Sequence, residues 1–226
     1  MNNRSKYYKY QRTPHLPGSG GATDDDRTWS EEDLYNSALV ASEEIVISCK
    51  MDGENTNFYN DHYHARSIDS RHHPSRDWAK RKWGEVSYKI PEGWKVALEN
   101  VFACHSIFYN DLESFLYVIS LWDEERNCLD WDATVDFAEN ELQLPTVPVL
   151  YRGPFDIDIL HKLADDLDPN TQEGYVVRTA SGFHYDDFDS HIAKYVSAEF
   201  KEMLDDSDEH WMHKQVVPNK LKDDEE

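Results

Sequence analysis

The apolar positions of this chain change their spacing along its length, and each change marks an element. Residues 45–51 (IVISCKM) form an apolar run rich in β-branched side chains, which reads as a buried strand. Asp52-Gly53 follows as a turn signal, and residues 57–65 read as the returning strand. Residues 94–109 are mostly strand-like, and residues 115–121 (FLYVISL), the most apolar run, read as a central strand. Residues 173–179 and 191–196 read as two more strands. Elsewhere the period is helical. Ile157, Leu160, Leu163 and Leu167 predict a helix over 157–167, and a second is expected over 134–142, ended by Pro145 and Pro148. Another helix begins near Ser30, where Thr28 with Glu31 has the capping-box spacing and Ser30 with Asp33 resembles it. Leu34, Ala38 and Ala41 would line its buried side. Residues 13–28 read as loop, and the polar stretch 70–88 as a loop at His72-His73-Pro74 followed by a short helix over 78–83. Strands and helices mix without regular βαβ alternation, which favours an α+β fold.

Length and composition narrow the class. The 226 residues suffice for a real core, and the expectation is one domain over 1–226 with no separate C-terminal nucleic-acid-binding domain. Hydrophobic residues make up 39% and aromatics 13%, too many for a disordered chain. No stretch approaches the roughly 20 apolar residues of a membrane span, and residues 1–12 lack the apolar centre of a secretory signal. Cys49, Cys104 and Cys128 form no CxxC, which suggests reduced thiols and a cytoplasmic setting. The net charge of −22 argues against a protein that coats nucleic acid. The charge is uneven, however. Arg66, Arg71, Arg76, Lys80, Arg81 and Lys82 are opposed locally only by Asp69 and Asp77, so this block is a candidate phosphate track. The acidic runs, Asp24 to Asp26 among them, read as solvated faces.

Candidate chemistry centres on Lys50-Met51-Asp52-Gly53-Glu54-Asn55, a lysine ending an apolar strand just before a glycine turn. Strand alternation puts Lys50 on a face with Ser48 and Val46, opposite Ile47, Cys49 and Met51. At a pocket edge, desolvation and nearby cations would lower its pKa toward a usable nucleophile. By itself KxDG equally describes an exposed lysine before a hairpin turn. Further elements follow in order: Glu99 in LENVF, the apolar LYVIS around Ile119, Glu173 in EGYVVR, and Lys194 in IAKYV.

Together these five segments resemble the motifs of the covalent nucleotidyltransferases: ATP-dependent DNA and RNA ligases and messenger-RNA capping enzymes. Asn55, two places after the motif glycine, and the EGYVVR form are most similar to the ATP-dependent RNA ligase family, in its RNA ligase 2-like group. RTPHLPGS near residue 15 and EHWMHKQVVPNKL near residue 215 also look like small bacterial and phage members. The resemblance implies a nucleotidyltransferase (ATP-grasp-like) ligase core, with antiparallel sheets flanking an ATP cleft and helices outside. It implies that Lys50 attacks ATP to form lysyl-AMP, that Lys194 contacts the α-phosphate, and that Arg66 binds ribose or phosphate. Glu99 would hold the ribose hydroxyls, and Glu173, with Glu99, would organise Mg²⁺ or Mn²⁺. Ile119 would pack on adenine where the family usually has a stacking aromatic. Asn55 would assist sealing, and Asp52 would contribute to catalysis. Val196 stands where the nearest RNA ligases often carry a second basic residue. The implied substrates are RNA ends or a nicked RNA duplex, with a partner protein for RNA grip or end healing. Within the class, a DNA ligase or a capping guanylyltransferase is an alternative, and outside it a non-sealing nucleotide- or RNA-binding subunit. His15, in the Pro-rich loop, is a candidate to line the site. His62, His64, His72 and His73 are read as surface or hydrogen-bonding histidines, not as a transition-metal site.

Overall fold

A computed structural model describes residues 6–205 and 215–222. Residues 1–5, 206–214 and 223–226, and with them the start of the EHWMHKQVVPNKL segment, lie outside the described residues. Among the described residues ten strands and seven α-helices follow one another. The helices are α1 (Glu31–Tyr35), α2 (Ala38–Ala41), α3 (Asp77–Val86), α4 (Trp131–Asp136), α5 (Ile157–Asp165), α6 (Phe188–His191) and α7 (Ala198–Asp205). The strands are β1 (Ile45–Lys50), β2 (Glu54–Phe58), β3 (Tyr63–Ala65), β4 (Lys95–Asn100), β5 (Leu116–Trp122), β6 (Asn127–Cys128), β7 (Val149–Gly153), β8 (Gly174–Thr179), β9 (Phe183–His184) and β10 (Ile192–Val196).

Two antiparallel sheets result, one ordered β10-β8-β1-β7 and the other β3-β2-β4-β5-β6-β9. The strand β1 is central to the first sheet, which is why its sequence is a continuous apolar run rather than an alternating one. Ile45 and Ile47 pack on one face with Leu34, Leu39 and Leu160, bringing in α1, α2 and α5. On the second sheet Phe58, Val96, Leu98 and Val118 bury their side chains with Ala79 and Val86 of α3 and with Ala138 and Leu142. A third cluster, with Val46, Met51, Val101, Phe115, Trp131 and Val147, ties the sheets together. Helices therefore cover the outer faces and the cleft lies between the sheets, the α+β arrangement expected.

Several elements differ from the sequence expectation, each for a local reason. The helix starting after Ser30 is capped by Ser30 and Asp33 in a reciprocal box. It stops at Asn36, where the Ser37 hydroxyl donates to the Leu34 carbonyl at 2.7 Å. The break resets the helical phase, so Leu39 is fully buried while Ala38 is half-buried and Ala41 exposed. The returning strand over 57–65 is two strands, β2 and β3, joined by a turn closed by the Tyr59 amide and the His62 carbonyl. Only 95–100 of the 94–109 stretch is strand, because the Asn100 side chain accepts from the Phe102 amide at 3.1 Å and turns the chain out. Residues 101–112 are instead stapled by the chain's last described segment. The Asn219 side chain donates to the Val101 carbonyl at 2.8 Å and accepts from the Tyr109 amide at 2.9 Å. The helix at 134–142 begins earlier, at Trp131, and its last part widens to a π-turn ended by Gln143 at φ 53°.

Candidate active site

Between the sheets lies a cleft of about 870 Å³, within the size range of small-molecule sites. The first sheet lines it with Lys50, Val176, Arg178 and Lys194, and with Glu173 just before β8. The second contributes Glu54, Asn55, Glu99 and Ile119. Strand register explains the convergence. Lys50 pairs with Gly174 and Lys194 with Val176 on either side of β8, while Asn55 pairs with Glu99 across β2 and β4. Four motifs scattered over 145 positions of sequence thus meet at one end of two sheets.

The Lys50 ammonium donates to Glu173 Oε2 at 2.6 Å. Burial pulls the Lys50 pKa down, but the charges of Glu173 and Glu99 push harder and hold it above the ordinary lysine value. This corrects the expectation of a depressed lysine: the groups nearest the amine are carboxylates, not cations. Burial also raises Glu173, against the pull of Lys50. Glu99 is raised to about 8, by burial first, with Glu173 and Asp52 adding to it and Lys50 opposing. Among the described residues no three His, Cys, Asp or Glu side chains converge as a metal cage. The pair Glu99 and Glu173 is a donor set suited to a hard cation that takes its other ligands from phosphate oxygens and water.

Lys194 faces the same space. Burial lowers its pKa, and the Lys50 charge lowers it further. Its ammonium lies 3.9 Å from Asp26 Oδ1. Asp26 would be raised by burial, but hydrogen bonds from Thr23 at 2.9 and 3.2 Å and the charge of Lys194 hold it below the usual carboxylate value. His15 is buried one layer behind Asp26, with Nε2 at 3.6 Å and Nδ1 at 2.7 Å from the Ser19 hydroxyl. Burial and the nearby Lys194 lower it to about 4, so it is neutral. It is not among the residues lining the cleft. Its neighbours Pro14 and Leu16 bond the backbone of Lys194, so the Pro-rich loop braces β10 from outside.

A family model described as RNA ligase matches residues 43–196. The chain belongs to the RNA ligase family. No curated protein matches it significantly in sequence. Solved structures that resemble it include an apo mutant of Naegleria gruberi RNA ligase, at 14% identity and TM-score 0.58, covering 90% of this chain and 59% of that one. The same ligase with pyrophosphate matches at 15% and TM-score 0.57, covering 90% and 60%. A mutant of it with ATP and manganese matches at 15% and TM-score 0.56, covering 88% and 58%. The chain thus spans about three fifths of the length of these ligases.

The remaining residues singled out in this RNA ligase-family sequence are placed as follows. Arg66 is exposed at the cleft's edge. Ile119 lines the cleft from a β-bulge: Val118 and Ser120 pair with Leu98 and Ala97, leaving Ile119 unopposed. The Asn55 side-chain carbonyl accepts from Asn57 at 2.8 Å, and its Nδ2 is buried without a hydrogen-bond partner. Asp52 does not line the cleft; its carboxylate accepts the amides of Ser106 and Ile107 at 2.7 and 2.9 Å and so fixes the 105–107 loop. Cys49, expected on the opposite strand face, packs with the cluster of Val46 and Met51 and lines the cleft. Burial raises its thiol to about 11, so it is not a thiolate. Sequence reasoning missed Asp26, hidden in an acidic run, and Arg178, the last residue of EGYVVR. Arg178 is buried against the cleft, donating to the Leu129 and Thr179 carbonyls at 3.0 and 3.1 Å. Its place on the Val176 side of β8, by alternation, was the available signal.

Proposed function

We propose that this chain is an ATP-dependent RNA ligase that carries AMP on Lys50, passes it to an RNA 5′-phosphate and seals to a 3′-hydroxyl. The observation that carries the reading is Lys50 in the cleft, bonded at 2.6 Å to Glu173, with Lys194 and Glu99 in the same space. In the first step Lys50 Nζ attacks the α-phosphorus of ATP. The N–P bond forms, the bond to the β-phosphate oxygen breaks, and pyrophosphate leaves. Before the attack the Lys50 ammonium gives one proton to Glu173, whose burial makes it a better base than a free carboxylate, which frees the nitrogen lone pair; a second proton leaves to water as the N–P bond forms. Lys194 and Arg66 offset the negative charge gathering on the phosphates. Glu99 and Glu173 would hold Mg²⁺ or Mn²⁺, which neutralises phosphate charge and the carboxylates that keep Lys50 protonated. In the second step an oxygen of the RNA 5′-phosphate displaces Lys50 from the AMP phosphorus. In the third the 3′-hydroxyl attacks the activated 5′-phosphorus and AMP leaves. ATP, pyrophosphate and AMP bound to Naegleria gruberi RNA ligase support the choice of nucleotide. Three free thiols support a cytoplasmic setting.

The test is covalent labelling with α-labelled ATP and a divalent metal. Wild type takes up one AMP in an acid-labile N–P bond, and Lys50→Ala falls at least 1,000-fold. Labelling of the alanine variant at wild-type level removes Lys50 as the nucleophile.

A further inference from the structure

We infer that the strip from Arg71 and His72 at the cleft mouth, along the exposed side of α3 to Tyr88, is a track for an RNA strand. The identity of the strand rests on the sealing reading above. The track itself stands on charge and exposure. Six cations lie within residues 66–82 of a chain whose net charge is −22. Two of the six are engaged locally. Arg76 is buried in a forked pair with Glu54, one arm at 2.7 Å, and also donates to the Arg71 carbonyl at 2.6 Å. Lys82 lies 3.7 Å from Glu85. Among the described residues Arg66, Arg71, Lys80 and Arg81 make no salt bridge and are exposed. The acidic groups on the strip are Asp69, Asp77 and Glu85. Asp77 is held by His72 Nε2 at 2.9 Å, so it ties the cleft mouth to the first turn of α3.

Packing fixes which side of the helix is left open. Ala79 and Val86 are buried, and Trp78 and Trp83 pack on the core. Lys80, Arg81 and Gly84 are therefore turned outward, at the three-to-four spacing of one helical side, and Tyr88 is exposed just beyond them in the 3-10 turn Ser87–Lys89. A Cβ built on Gly84 would meet nothing within 4 Å, so the backbone there is open to close approach. Tyr88 is 78% exposed, the most exposed of the large hydrophobic side chains among the described residues. Cations with an exposed ring are the ingredients of a platform that grips phosphates and stacks bases without reading sequence. The ten residues of α3 span about 15 Å, room for roughly four nucleotides. The strip ends at residues that line the cleft, so a strand lying on it delivers its end to Lys50.

The experiment compares the wild-type chain with Lys80→Glu/Arg81→Glu and Tyr88→Ala, measuring binding to a single-stranded RNA with a 5′-phosphate at several salt concentrations. AMP labelling is measured in parallel, and Lys162→Glu on α5 is the control for charge change elsewhere. The double variant is expected to label as wild type, bind RNA at least about tenfold more weakly, and lose roughly 1.4 from its log–log salt slope. Tyr88→Ala is expected to weaken binding about fivefold or more. Unchanged affinity and slope in the double variant, or an equal loss in Lys162→Glu, overturns the track. A wild-type chain that labels with AMP but binds no RNA also overturns it, and leaves the adenylylation reading in place. RNA binding through the strip by a chain that never labels supports the track and sinks the ligase reading.

Discussion

Lys50, half-buried in the cleft, and Lys95, fully buried, both sit on strands, and their amines are driven in opposite directions. Lys95 Nζ has no hydrogen-bond partner and sits over rings, Tyr8 at 3.7 Å and Trp122 at 4.8 Å. Ring quadrupoles favour the ammonium by about 2 kcal/mol at best, less than the several kcal/mol cost of burying a charge, so Lys95 falls well below its ordinary value. Lys50 also loses solvation, but two carboxylates outweigh that loss. The carboxylates bear the converse cost, and Glu99 makes it measurable. Its pKa moves from 4.5 unfolded to about 8 folded. Between those values the native state binds the extra proton, so stability falls as pH rises, by up to about 1.4 kcal/mol per unit. The raised pKa of Lys50 adds a contribution that stays constant below its unfolded value of 10.5. Glu99→Gln is therefore expected to flatten the dependence of melting temperature on pH between 5 and 8, and to be the more stable protein at pH 8. Thermal unfolding of both proteins across that range decides it, and parallel curves would refute the assignment.

At the scale of elements, the site depends on how closely β8 and β10 approach beside Glu173. A Cβ on Gly174 would lie 1.9 Å from the Tyr195 carbonyl oxygen, a backbone atom with nowhere to go. Gly174→Ala must push β10 outward, carrying Lys194 away from Lys50 and the cleft. The expected result is a loss of about 2 kcal/mol or more and a fall of at least 100-fold in AMP labelling. A variant that labels normally would show that Lys194 is not positioned by this contact. The strands β1, β5, β8 and β10 were legible because they are apolar runs bounded by turns; their neighbours in each sheet were not. That Lys50, Glu99, Glu173 and Lys194 belong together was legible from the resemblance of their motifs to those of the ligases, and all four line one cleft. What the sequence hid were contacts between distant segments. Asp26 looks like solvated charge until β10 puts Lys194 beside it. Arg76 looks like surface charge until Glu54 of β2 pairs with it. The 101–109 stretch looks like strand because its apolar side chains pack inward, while its backbone bonds go to residues 217–220 instead of a sheet.

At the scale of the whole molecule, charge acts on folding and on RNA with opposite signs. The net −22 is spread over runs that repel one another, which disfavours the compact state. Salt shortens the reach of that repulsion, from roughly 20 Å at 20 mM to roughly 6 Å at 300 mM. Buried pairs such as Lys50–Glu173 and Arg76–Glu54 are screened far less, so salt relieves the repulsion without dissolving them. The melting temperature is therefore expected to rise across that interval, by about 3 °C or more. RNA binding is expected to weaken over the same interval, because each phosphate held by a cation releases counterions. The two responses must cross: conditions that make the protein sturdier make it a poorer RNA binder. A melting temperature that falls with salt would mean that attractive surface pairs, not repulsion among the acidic runs, dominate the electrostatics of this fold.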